Sequence, residues 1–130
     1  MFLTRAVDGA AVCAAMLLVY TGLAAAPGGR PQPSEPRVIE IVARRFAFVP
    51  ARIEVTEGEK VRLVVRSADG VHGIGIKKLK IAETVPRGGI PIEIEFTANA
   101  VGEFEILCSE YCGKGHEEMA ARLIVRPRAR

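Results

Sequence analysis

Two thiols, an imidazole and a thioether lie within one short segment of the chain. The segment runs from Cys108 to Met119 and reads CSEYCGKGHEEM. Sulfur and imidazole ligands select copper or zinc, whereas calcium and magnesium prefer oxygen ligands. A thioether is a poor ligand for zinc, but it is a familiar weak axial ligand in copper electron-transfer sites. Met119 therefore favours copper over zinc.

The spacing of these ligands suits a loop between two strands, because Cys112, His116 and Met119 can then turn towards one point. A further ligand must come from elsewhere, and His72 is the only other histidine of the chain. These four residues would be enough for a mononuclear copper site. Cys108 adds a second thiolate four positions before Cys112. Two such thiolates can bridge two metals, so a pair of coppers is predicted.

A disulfide between Cys108 and Cys112 is the alternative, since a metal-free protein outside the cytoplasm favours disulfides. The segment offers neither a general base beside a nucleophile nor an open metal position for a substrate. The site is therefore predicted to pass electrons, and the chain is not expected to be catalytic by itself. Its formal net charge is only +3, with acidic and basic residues interspersed, so nucleic-acid binding is not expected.

Apolar residues alternate with polar ones through most of the chain after residue 36, which predicts β-strands rather than helices. The alternating sets are Ile39 and Ile41; Val61, Leu63 and Val65; Ile92, Ile94 and Phe96; Phe104 and Ile106; Leu123 and Val125. A change of phase predicts a bulge or bend near Arg44 and Arg45. The turn at Glu57–Glu59 predicts a hairpin-like unit. Many short strands indicate an all-β sandwich or barrel.

The N-terminal part differs in character from this β-rich region. An uncharged apolar run from Ala10 to Ala26 follows Arg5 and predicts one helix, either a signal peptide or a single transmembrane anchor. Residues 27–36 have the composition of a Pro/Gly-rich linker, and residues 37–127 are predicted to form the globular domain. Cys13 is interpreted as an apolar residue of the run. The domain is thus expected at the extracytoplasmic (periplasmic) face of the cell membrane, anchored or secreted.

The ligand segment resembles the C-x-E-x-C-G-x-x-H-x-x-M signature of cytochrome c oxidase subunit II, in its CuA-binding cupredoxin domain. Every fixed position of that signature is present. The stretch from Phe46 through Pro50 to His72 is also similar to the general cupredoxin pattern. The resemblance covers roughly residues 37 to 127. It implies a cupredoxin-like Greek-key β-sandwich.

The resemblance also implies a role for each residue of the site. Cys108 and Cys112 would bridge two coppers, with one imidazole on each copper. The implied ligand set is His72, Cys108, Cys112, His116 and Met119, with the backbone carbonyl of Glu110 as the second axial ligand. The Glu110 side chain would face the catalytic subunit and help to hold magnesium at that interface. Electrons would pass from a periplasmic donor such as a cytochrome c to a heme-bearing oxidase subunit.

Two features depart from the usual subunit II pattern. The chain has no Trp as an electron entry point, and Lys77, Lys78 and Lys80 make the region after His72 basic rather than acidic. The sequence therefore leaves the electron donor open. It also leaves two alternatives, a stand-alone periplasmic electron carrier and a copper-delivery protein for oxidase assembly.

Overall fold

The computed structural model describes residues 34–130, and the regular secondary structure in this part of the chain is almost entirely β-strand. Its strands are β1 (Arg37–Arg44), β2 (Ala47–Val49), β3 (Arg52–Thr56), β4 (Lys60–Ser67), β5 (His72–Ile76), β6 (Ile81–Val85), β7 (Ile92–Thr97), β8 (Gly102–Leu107) and β9 (Ala120–Arg126). Within these residues no helix has the length and apolar character needed to cross a membrane. The predicted N-terminal helix lies outside the described residues.

The strands form two sheets with a shared apolar core. One sheet has the order β2-β1-β4-β7 and the other β3-β9-β8-β5-β6. The alternation predicted for β4 is confirmed, because Val61, Leu63 and Val65 are fully buried. Leu123 of β9 is buried to the same extent in the other sheet. Each such side chain contributes roughly 1.5 to 3 kcal/mol relative to an exposed one. The predicted all-β sandwich is confirmed.

The predicted hairpin around Glu57–Glu59 is wrong. The strands on either side of this turn, β3 and β4, lie in different sheets. β3 pairs in parallel with β9, and β4 pairs in parallel with β1. Alternation shows which side chains of a strand face a core, but it does not show which other strand pairs with it. Both strands face the same core from opposite layers, so the turn carries the chain from one sheet to the other.

The predicted bend after β1 is a tight turn at Arg45 and Phe46. The chain then folds back as β2, which pairs antiparallel with β1 and places Val49 opposite Val42. The change of phase therefore occurs within one sheet. The sequence did not predict β6, whose exposed central residues show no alternation.

Two elements of the larger sheet place the candidate site. His72 is the first residue of β5, and the ligand segment connects β8 to β9. The antiparallel pairing of β5 with β8 places Gly75 opposite Leu107. The residues that follow Leu107 therefore run alongside the beginning of β5, which brings the ligand segment to His72.

Candidate metal centre

His72 is fully buried and has one free ring nitrogen. Its Nε2 lies 2.5 Å from Oδ1 of Asp69, in the turn that precedes β5. Its Nδ1 has no hydrogen-bond partner, and no other buried side-chain nitrogen or oxygen in residues 34–130 shares this property. Buried polar atoms in folded proteins almost always have a partner. The free Nδ1 therefore suits a metal ligand whose other nitrogen is held in place by a carboxylate.

The two thiols of the ligand segment lie next to this imidazole. Cys108 and Cys112 are both buried and free, with 3.6 Å between their Sγ atoms. A disulfide would require about 2.05 Å. The possible ligand atoms of His72, Cys108 and Cys112 all lie within 4.8 Å of one another. Two thiols and one imidazole at this separation form a donor set suited to a soft metal such as copper.

The remaining predicted ligands surround the same thiols. The Cys112 Sγ lies 3.7 Å from Nδ1 of His116 and 3.9 Å from Sδ of Met119. Met119 is fully buried, whereas His116 is partly exposed. The backbone carbonyl oxygen of Glu110 lies 3.0 Å from the Cys108 Sγ. The structure thus brings together every residue of the predicted set.

Two local features of the loop explain why these ligand groups lie together, the hydrogen bond between its ends and a short turn near its C-terminal end. The Cys108 N–H donates to the Met119 carbonyl at 3.2 Å, which closes the loop where it leaves the sheet. A short 3₁₀ turn at His116–Glu118 follows Gly115, whose φ of 104° favours glycine. The Met119 N–H donates to the His116 carbonyl at 3.2 Å. This turn directs His116 and Met119 towards the same thiol.

An aromatic ring from the β1–β2 turn supports the glycines of the loop. A Cβ on Gly115 would lie 2.7 Å from Cδ2 of Phe46, and a Cβ on Gly113 would lie 3.3 Å from its Cζ. Such approaches leave no room for a side chain at Gly115. The loop can therefore pack flat against Phe46 only because it lacks side chains at these positions.

A second close approach joins the loop to β5. A Cβ on Gly73 would lie 2.5 Å from the backbone nitrogen of Glu110 and 2.9 Å from the carbonyl carbon of Ser109. The segment that carries Cys108 and Glu110 thus crosses directly over the residue that follows His72. Glycine at Gly73 allows the imidazole and the thiols to approach each other.

Two titratable groups of the site have shifted pKa values. Burial acts to raise the pKa of Asp69, but hydrogen bonds from the Arg45 and Gly70 backbone and from His72 outweigh it and lower that pKa from 3.8 to about 2. Burial, assisted by the neighbouring Cys108, raises the pKa of the Cys112 thiol to about 11. Asp69 is therefore a carboxylate at neutral pH, whereas metal binding at Cys112 must displace a thiol proton.

Sequence reasoning missed the two residues that hold the ligands from outside. Asp69 contacts the His72 ring, and the only available signal was an acidic residue in the turn just before a histidine. Arg45 donates from Nε to the Cys112 carbonyl at 3.1 Å and from its backbone N–H to Asp69 at 2.8 Å. The sequence indicated only a bend at Arg45.

The fold and this geometry agree with the comparison with known families. A sequence model of the cupredoxin-like domain matches residues 10–125. The chain belongs to the cupredoxin-like domain family. Copper sites are typical of sandwiches with this ligand chemistry, so the His72, Cys108 and Cys112 cluster supports copper binding by this cupredoxin domain.

The cupredoxin domain is similar to cytochrome oxidase subunits and to a blue copper protein. It is 30% identical over 88 residues to cytochrome c oxidase subunit 2 of Thermus thermophilus, which covers 68% of this chain and 64% of that relative. The periplasmic domain of subunit II of cytochrome oxidase from Bradyrhizobium japonicum has a TM-score of 0.65 at 19% identity, covering 73% of this chain and 87% of that one. Auracyanin A, a blue copper protein from Chloroflexus aurantiacus, has a TM-score of 0.54 at 20% identity, covering 71% of this chain and all of that one.

These likenesses confirm the predicted resemblance to subunit II and the cupredoxin fold. The matched region spans just under two thirds of the Thermus relative's length. The two solved structures are below 25% identity, so they show the fold and leave the number of metal ions open.

Proposed function

We propose that this cupredoxin domain is the copper-bearing electron-transfer domain of a heme-copper terminal oxidase, in the place of subunit II. The observation that carries the proposal is the buried pair of thiols, 3.6 Å apart, beside the free Nδ1 of His72. A mononuclear cupredoxin site has no use for a second buried thiol at this distance. The similarity to subunit 2 of Thermus thermophilus supports the same assignment.

The proposed centre holds two coppers between the thiolates of Cys108 and Cys112. His72 and His116 would each ligate one copper, while Met119 and the Glu110 carbonyl would be the axial ligands. Separations of 3.0 to 3.9 Å among the groups of the ligand loop support this arrangement. His72 lies within 4.8 Å of both thiols. The exposed Glu110 carboxylate accepts a hydrogen bond from Thr84 Oγ1 at 3.2 Å. That exposure is compatible with a magnesium ion at an interface.

The ligand residues are suited to carrying electrons. Copper, when bound, would accept and release one electron at a time. Burial of both thiols, His72 and Met119 excludes water from most of the centre, and the ligands are held by β5 and by the loop that connects β8 to β9. Little therefore has to rearrange when the charge changes. The same burial leaves no open position for a substrate.

The proposed partners are a heme-bearing oxidase subunit as electron acceptor and a periplasmic electron donor such as a cytochrome c. The site would then lie on the extracytoplasmic face of the membrane, with the N-terminal segment as anchor or signal. The periplasmic location named for the Bradyrhizobium domain supports this. Tyr111 is 77% exposed, and its ring centroid lies 5.7 Å from that of His116, so it gives a donor an aromatic contact next to a proposed ligand.

Copper stoichiometry and electron paramagnetic resonance of the full chain test the proposal. We expect two coppers per chain that share one unpaired electron, and we expect this signal to be lost in Cys108→Ser. Cys13→Ser is the matched control, because Cys13 lies outside the ligand segment, and it should retain the signal. One copper per chain, with a blue-site spectrum that is the same in Cys108→Ser, would refute the two-copper centre.

A further inference from the structure

Arg45 connects the two parts of the metal centre that are far apart in sequence. Its Nε donates to the carbonyl of Cys112 at 3.1 Å, within the ligand loop. Its backbone N–H donates to Oδ2 of Asp69 at 2.8 Å. The other carboxylate oxygen of Asp69 lies 2.5 Å from Nε2 of His72. A continuous series of hydrogen bonds therefore runs from the Cys112 carbonyl through Arg45 and Asp69 to His72.

The neighbours of Arg45 hold its side chain over the loop. A Cβ on Gly70 would lie 3.0 Å from Nη2 of the guanidinium, so the side chain passes close to the turn that precedes β5. Phe46, the next residue, packs against the loop glycines. The turn between β1 and β2 thus contacts the ligand loop through a hydrogen bond and through an aromatic ring.

The guanidinium also brings a permanent positive charge to the backbone of Cys112, one of the proposed ligands. A centre with two thiolates becomes more negative when it takes up an electron, and a nearby cation stabilises that reduced state. Asp69 carries the opposite charge and contacts the His72 ring.

We propose that Arg45 is a positioning residue of the metal centre, which holds the ligand loop against the His72 side of the site and raises the reduction potential of the bound metal. The effect on the potential rests on the proposed function. The effect on the loop does not, because it concerns only the hydrogen bonds that Arg45 makes to Cys112 and Asp69. Outer-shell partners of this kind commonly change metal affinity by roughly ten- to a hundredfold.

The test compares Arg45→Gln with Arg44→Gln in the full chain. Arg44 is the exposed last residue of β1, and its substitution removes the same charge one position away. In the copper-loaded protein, we expect Arg45→Gln to lower the reduction potential, to change the copper hyperfine splitting and to release copper about tenfold faster. Arg44→Gln should resemble the parent in all three. Equal effects of the two substitutions, or none from Arg45→Gln, would overturn the inference.

Hydrogen exchange in the copper-free protein provides a second readout. The amides of His116 and Glu118 donate within the loop, and their exchange should become roughly tenfold faster in Arg45→Gln, as expected for loss of one hydrogen bond from a charged donor. Arg45→Lys keeps the charge but loses Nε, so it should retain the potential and lose the protection. This variant also serves if Arg45→Gln does not fold. Unchanged exchange in both variants would contradict the positioning role.

The two readouts separate the inference from the proposed function. If the parent protein never forms a two-copper centre, the proposed function fails, and the exchange comparison alone decides whether Arg45 holds the loop. If the centre forms but its potential is insensitive to Arg45, the inference fails and the proposed function stands.

Discussion

The pairing of Asp69 with His72 shows how one carboxylate prepares an imidazole for metal binding. Asp69 occupies Nε2, so Nδ1 is the ring nitrogen left free to bind a metal. A carboxylate on the outer nitrogen orients the ring and makes it a better ligand. Because backbone N–H groups also hold Asp69, its orientation does not depend on the metal.

The lowered pKa of Asp69 predicts a loss of stability in acid. Its pKa falls from 3.8 to about 2 on folding, so its contribution is complete above pH 3.8 and disappears as the pH falls towards 2. In the copper-free protein, Asp69→Asn should reduce the free energy of unfolding at pH 7 by about 1 kcal/mol, allowing for solvent screening of a partly exposed group. Denaturant titrations between pH 7 and pH 2.5 measure this, and the difference from the parent should shrink below pH 4.

Glu83→Gln is the control for this experiment, since Glu83 is exposed on β6. It should unfold like the parent at every pH. A difference between Asp69→Asn and the parent that stays constant down to pH 2.5 would contradict the assignment.

The role of a single residue could be predicted where its side-chain chemistry is rare in the chain. It could not be predicted where the role depends on contacts made in the fold. His72 could be assigned because it is the only histidine outside the ligand segment, and Cys108 because it adds a second thiol. Arg45 is one of many arginines, and nothing in its neighbours indicates a bond to Cys112. Its role depends on a turn whose path the sequence did not define.

At the scale of elements, β5 and the ligand loop fit closely against each other. The loop crosses β5 over glycine, and its own glycines cross the Phe46 ring. The alternation of apolar and polar residues identified most strands, but it did not identify the strands with which they pair. It missed β6 and suggested a hairpin where the chain changes sheets, because alternation reports burial and pairing depends on the whole topology.

A methyl group on β5 should separate the loop from His72. In Gly73→Ala, the new Cβ would lie 2.5 Å from the Glu110 nitrogen, so the segment from Cys108 to Glu110 must move. We expect a loss of about 1 to 3 kcal/mol in stability and loss of the two-copper signal. Thermal unfolding and electron paramagnetic resonance measure the two effects.

Gly75→Ala is the matched control, because its Cβ would meet the Ser109 Cβ at an ordinary 3.4 Å. This variant should keep both the stability and the signal to a much greater extent. If both alanines left the copper centre intact, the close crossing over Gly73 would not be what positions the thiols.

At the scale of the whole molecule, the proposed ligands tie together distant parts of the chain. His72 begins β5, whereas the other ligands lie between β8 and β9, next to the C-terminal strand. The unfolded chain cannot present these groups together. Metal bound to all of them therefore favours the folded state.

Copper should raise the thermal stability of the domain, because it binds the folded state and not the unfolded chain. At free copper about a thousandfold above the dissociation constant, linkage gives roughly 4 kcal/mol of stabilisation. Calorimetry with and without copper should show a higher unfolding temperature for the loaded protein, and the shift should be much smaller in His72→Ala. An equal shift in that variant would mean that copper binds without joining β5 to the loop.

The hydrogen bond between the Cys108 N–H and the Met119 carbonyl closes the neck of the ligand loop. Because the two ends of the loop are bonded to each other, insertions and deletions between Cys108 and Met119 need not change the register of β8 and β9. The length of the loop can therefore vary while the strands stay in register, provided that His72 and the close contacts at Gly73 and Phe46 are kept. A descendant of this domain could thus acquire a longer or shorter ligand loop on an unchanged sandwich.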